Sequence, residues 1–116
     1  MTLAVILFAI AALGGAVMAI MRFSGKALPP MGLAILHGLI AAAGLVALIL
    51  AVAGGTASTK AIIALVLFAG AAIGGFVLFS YHLRRQALPK PYVAIHGLVA
   101  VIAFVILLLA VFAAKA

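Results

Sequence analysis

A chain of 116 residues that is 72% hydrophobic, with seven Lys or Arg and no Asp or Glu, lacks the charge to coat a soluble surface. Its mean hydropathy of +1.63 and its apolar runs of about 20 residues, the length of a bilayer-spanning helix, make it an integral membrane protein. The lack of cysteine excludes disulfides and thiolate metal sites. The net charge of +7 sits between apolar runs, where it marks topology and is no sign of a nucleic-acid surface.

The first apolar run predicts a span over residues 3–22 and carries Gly14-Gly15. It lacks a basic leader region and matches a later part of the chain, so it reads as a true span and not as a signal peptide. FSGKALPP breaks it. A second span is predicted over 31–53, with His37-Gly38 near its start. GGTASTK follows, then a third span over 61–81 with Gly74-Gly75. HLRRQALPKP leads into a fourth, over 92–114, with His96-Gly97. Each break contains Pro, Gly or small polar residues that end helices. Pro30 and Pro91 lie near helix starts, where a missing N–H costs little.

The two halves are a repeat. LFAIAALGGAV matches LFAGAAIGGFV, KALPP matches QALPK, and LHGLIAAAGLVALILAV matches IHGLVAVIAFVILLLAV. Residues 3–29 align with 63–89, and the second stretch follows after a slip of one residue. The expected fold is all-α: a four-transmembrane-helix bundle, one membrane domain over 1–116, built from two parallel-repeat helical hairpins (1–56 and 57–116). Such repeats are related by an axis along the membrane normal.

Cation placement predicts orientation. Arg22, Lys26, Arg84, Arg85 and Lys90 fall in the first and third loops, Lys60 and Lys115 on the other side. Loops 23–30 and 82–91 are therefore expected in the cytoplasm, with both termini outside, in a bacterial inner membrane.

Depth links the histidines to the glycines. His37 and His96 each follow a loop proline by about seven residues, which places them roughly 10 Å inside the same boundary. The Gly14-Gly15 and Gly74-Gly75 pairs reach that level from the neighbouring spans. Glycine permits close approach to the backbone, and Gly38 and Gly97 are expected to add room. Ala34, His37, Ala41 and Gly44 share one helical face, as do His96, Ala100 and Ala103. Small residues mark packing faces in membranes, so both imidazoles are expected to point inward. The plainer alternatives are packing glycines, histidines bonded to a backbone carbonyl one turn away or to each other, and arginines that serve as interfacial anchors. Tyr81, His82 and Tyr92 fall at the level of an ordinary aromatic belt.

Ionisable groups inside a span are functional candidates. Two imidazoles at matched depth suit the axial positions of an electron-transfer haem b. Its propionates would point toward Arg22, Lys26, Arg84, Arg85 and Lys90. A four-helix membrane bundle with apposed histidines and nearby glycines resembles the membrane b-type cytochromes. The resemblance implies bis-His ligation by His37 and His96, with Gly14, Gly15, Gly74 and Gly75 making room for the macrocycle. It also implies one-electron transfer with a quinone or a redox partner protein. The larger families often carry four haem-ligating histidines, whereas one in-span pair here allows a single haem, on the cytoplasmic side.

Other readings stay open at this point. A (bacterio)chlorophyll magnesium also takes a His ligand, and a quinone accepts a hydrogen bond from one. Two histidines alone make a poor zinc or copper site. The small multidrug exporters depend on a membrane-embedded carboxylate, and this chain has none. Proton relay by the two histidines is chemically possible, whereas no hydrolytic constellation is visible. The main competitor is an accessory subunit of a larger membrane complex, without a cofactor of its own. Homo-oligomers built through small-residue faces are a further possibility.

Overall fold

The computed structural model describes residues 1–113. They form four helices: α1 (Thr2–Phe23), α2 (Met31–Ala53), α3 (Thr59–Leu83) and α4 (Lys90–Ala113). All four are long and apolar enough to cross a membrane. The bundle measures 44 × 20 × 18 Å, so its long axis exceeds the roughly 30 Å hydrocarbon core. The predicted end of the fourth span at 114, and Lys115, lie outside the described residues.

Several boundaries differ from expectation by one or two residues. Helix α3 begins at Thr59, ahead of the predicted residue 61. Ser58 caps it, its hydroxyl accepting from the Ala61 N–H at 3.2 Å, which satisfies one of the unpaired donors at a helix start. Helix α3 also runs on to Leu83, and α4 begins at Lys90. The connections shrink accordingly, to residues 24–30 and 84–89.

Both helices that enter these connections end alike. Lys26 N–H bonds the Met21 carbonyl at 3.0 Å and Gly25 N–H bonds Arg22 at 3.2 Å. Gln86 N–H bonds Tyr81 at 2.9 Å and Arg85 N–H bonds His82 at 3.1 Å. These are Schellman closures, which need a left-handed residue after the helix. Gly25 takes that conformation at φ 110°, and in the second repeat Arg85 takes it at φ 55°. The arginine accepts a strain of about 1–2 kcal/mol that glycine avoids.

The two hairpins, α1/α2 and α3/α4, pack most closely within themselves. α1 also meets α4, and α2 meets α3, leaving α1/α3 and α2/α4 as diagonals. Equivalent residues of the repeats face each other across those diagonals. Phe8 and Phe68 stack with ring centroids 3.7 Å apart and planes 2° from parallel. Leu48 and Leu107 are fully buried beside them, together with Ala4, Ala64 and Ala103. Gly44 lets the Phe8 ring approach α2, since an added Cβ would lie 3.2 Å from it. The inward small-residue face expected on α2 is present: Ala34 and Gly44 are buried, with His37 and Ala41 half-buried between them.

The rest of the apolar surface faces outward. Leu13, Leu39, Phe76 and Leu98 are each more than 60% exposed. A soluble protein would hide such side chains, whereas in a bilayer they meet lipid tails.

The two cationic loops clasp each other. Leu88 N–H donates to the Ala27 carbonyl at 3.1 Å. Arg22 Nε donates to the Leu88 carbonyl at 2.7 Å. His82 Nε2 lies 3.3 Å from the Pro29 carbonyl, and because a carbonyl only accepts, the nitrogen is the donor. Arg22 and His82 are equivalent positions of the repeat, so each half grips the loop of the other. His82, expected in an aromatic belt, is in fact 6% exposed and part of this joint.

Candidate functional site

His37 sits in the second turn of α2, and its imidazole lies against α1. Nδ1 is 2.7 Å from the Ala11 carbonyl. His96 repeats the arrangement in the second hairpin, with Nδ1 2.8 Å from the Ala71 carbonyl. Both rings therefore carry their hydrogen on Nδ1. In a neutral imidazole that leaves a lone pair on Nε2. Among the described residues no protein hydrogen bond reaches Nε2 of either ring, and no buried polar side-chain atom lacks a partner.

The local sequence explains why the ring lies where it does. Ala11, Gly14 and Gly15, spaced three and four residues apart, share one face of α1. Nothing larger than a methyl group projects from that face. A Cβ built on Gly15 would stand 3.0 Å from His37 Cε1, and one on Gly14 would stand 3.8 Å from Nδ1. On α3 the corresponding distances are 3.3 Å from Gly75 to His96 Cε1 and 3.6 Å from Gly74 to Nδ1. The close approach expected at the Gly-Gly pairs is real, but the group admitted is the imidazole of the same hairpin.

The two imidazoles meet across the α2/α4 diagonal. Their centroids are 6.3 Å apart and their planes cross at 82°. Both residues are half-buried. Gly38 and Gly97 are not part of this arrangement. An added Cβ at either would meet nothing within 4 Å; Gly38 is exposed and Gly97 half-buried.

The arginines also separate. Arg22 is half-buried and turned to the clasp between the loops. Arg84 is exposed; its Nε and Nη2 donate to the Ser80 carbonyl and hydroxyl, each at 3.2 Å. Its guanidinium lies 4.5 Å from the centre of the Tyr81 ring, a cation–π contact. Neither arginine hydrogen-bonds an imidazole.

The donor set decides which metals suit the site. Among the described residues no group of three His, Cys, Asp or Glu could hold an ion. Two imidazoles are too few for a bare zinc or copper. They are sufficient for a metal whose equatorial positions a macrocycle fills. His37 and His96, on facing helices with ring centres 6.3 Å apart, would be the two protein residues to hold such a group. The Nδ1–H···O=C bonds are the usual support behind a ligating histidine, since they set tautomer and ring direction. The residues present therefore fit axial ligation of a haem iron.

Sequence reasoning missed the carbonyls of Ala11 and Ala71. The signal lies in AALGG and AAIGG: an alanine at the right spacing before each Gly-Gly leaves its carbonyl accessible to a neighbouring ring. Comparison with family models, with curated proteins and with solved structures finds no match. The functional reading rests on the geometry alone.

Proposed function

We propose that the protein is a small b-type membrane cytochrome that binds one haem between His37 and His96 and transfers single electrons. The observation that carries this reading is the pair of imidazoles on opposite helices, each held by a backbone carbonyl through Nδ1 and each with Nε2 left unspent. Haem b supplies a reversible one-electron couple at its iron. The chain's own part is to hold the two ligands, exclude water with an apolar shell and set charge at the rim. Within the bundle the hairpins meet each other less extensively than their own helices do, and a haem between His37 and His96 would require the hairpins to part. Arg22, turned inward, is the cation we assign to the propionate side; the outward Arg84 is given another role below.

Addition of haemin to the protein purified without haem, in mild detergent, tests the assignment. The expected result is saturation at one haem per chain, with binding lost in both His37→Ala and His96→Ala. Binding that survives either substitution contradicts it. The electron partner is a quinone or a redox protein on the cationic side.

A second reading has its own support. The Nδ1 bonds also satisfy the histidines without any ligand, as an accessory subunit of a larger membrane complex would require. A folded protein that takes up no haem would favour it.

For the orientation we propose that loops 24–30 and 84–89 face the cytoplasm of a bacterial cell, on the strength of the five cations at that end. The chain contains no cysteine, so Gln86→Cys provides a clean probe. An impermeant maleimide should label it only after lysis. Labelling in intact cells would reverse the orientation.

A further inference from the structure

The two hairpins carry equivalent grooves on their outer faces, and the two differ in lining. The groove of the first hairpin, about 280 Å³, is lined by α1 and α2 and reaches His37. The groove of the second, about 340 Å³, is lined by α3 and α4 and reaches His96. At equivalent positions the first has Ile10 and Leu33 where the second has Gly70 and Tyr92. The change from Ile to Gly widens the channel, and nothing lies within 4 Å of a Cβ added at Gly70. The change from Leu to Tyr puts a phenol at its mouth.

That phenol belongs to a cluster the first hairpin lacks. Tyr92 meets Tyr81 edge to face, ring centroids 6.3 Å apart. Tyr81 in turn carries the Arg84 guanidinium on its face at 4.5 Å. The corresponding residues of the first repeat are Leu33, Met21 and Ser24. Two bonds to Ser80 orient the guanidinium, and the sequence has no Asp or Glu to pair with it. Tyr92 thus lines the cationic end of an apolar groove that runs about 10 Å, from Tyr92 to Val99, along α4, and Tyr81 and Arg84 adjoin it. A molecule with an anionic head and an apolar tail complements that order of groups.

We propose that the groove between α3 and α4 binds one anionic phospholipid, with its phosphate at Arg84 and Tyr92 and an acyl chain along Gly70, Gly74 and Ile95. The smaller, apolar-mouthed groove of the first hairpin does not. Charge chooses the occupant: a neutral isoprenoid would fit the channel but leave Arg84 unmatched. The groove shares Gly74 and His96 with the inner site, but the groups that select the lipid, Gly70, Tyr92 and Arg84, take no part in haem ligation.

Native mass spectrometry of the detergent-purified protein, with phosphatidylglycerol or phosphatidylcholine added, tests it. One phosphatidylglycerol per chain should be retained in clear preference to phosphatidylcholine. Arg84→Ser should weaken retention about fivefold, the scale of one basic residue facing an anionic lipid. Gly70→Ile should weaken it by blocking the channel. Both variants carry the residue that the first hairpin already has at the equivalent position, and Arg84 is exposed, so its replacement leaves the fold intact. Equal retention of the two lipids, preference for a neutral lipid, or retention unchanged in Arg84→Ser would overturn the proposal.

Discussion

Gly14 and Gly15 are neighbours in the chain, yet a methyl group added to each meets a different environment. At Gly14 the nearest atoms of His37 would be 3.8 Å away, ordinary contact; at Gly15 the Cε1 atom would be 3.0 Å away. The ring has little freedom to retreat, because Nδ1 is tied to Ala11. Gly15→Ala should therefore strain that bond and destabilise the detergent-solubilised protein by about 1–2 kcal/mol, the scale of a compromised buried hydrogen bond. Gly14→Ala should be neutral or slightly stabilising, since alanine is the better helix former. Thermal unfolding of the two variants side by side reads the difference, and equal melting temperatures would show that the glycines do not seat the imidazole. Neighbour-specific packing of this kind was not legible in the sequence. The repeat and the proline spacing placed glycine and histidine at one depth. Which helix each ring lies against is set by how the hairpins close, and a Cβ added at Gly38 or Gly97 meets neither ring.

At the scale of elements, the four helices follow from hydropathy because each must satisfy its own backbone in lipid. The start of α3 moved through a single interaction, the Ser58 cap. The stretch HLRRQALPKP looked like one long break, but its first residue is the buried anchor His82. Its burial depends on a carbonyl 53 positions away, which no local pattern discloses. Arg22 is the counterpart, with its charged donor on Leu88. A hydrogen bond from a charged group contributes about 1.5–3 kcal/mol, so Arg22→Ala should lower stability by that order and loosen both loops. Hydrogen exchange across residues 24–30 and 84–89 should rise together in that variant. Acceleration confined to residues 24–30 would mean that the two loops are not coupled.

The whole molecule is two hairpins arranged about a thin core. Aromatic rings meet near one end, Phe8 on Phe68, and imidazoles meet near the other, His37 beside His96. The bundle is too slender to hide most of its large apolar side chains, and the bilayer completes it. Its symmetry puts two histidines at one level; its departures from symmetry, at Gly70, Tyr81, Arg84 and Tyr92, gather on a single outer face. An inner site shared by both halves and an outer site belonging to one of them are the functional content that we read from this arrangement. The central claim is that the shared site ligates haem iron through both imidazoles. The most direct test is a dithionite-reduced minus air-oxidised visible spectrum of the protein expressed with ample haem and purified in mild detergent. The expected result is a sharp α-band of the low-spin b type that disappears in His37→Ala and in His96→Ala. A colourless, well-folded wild-type protein would contradict it.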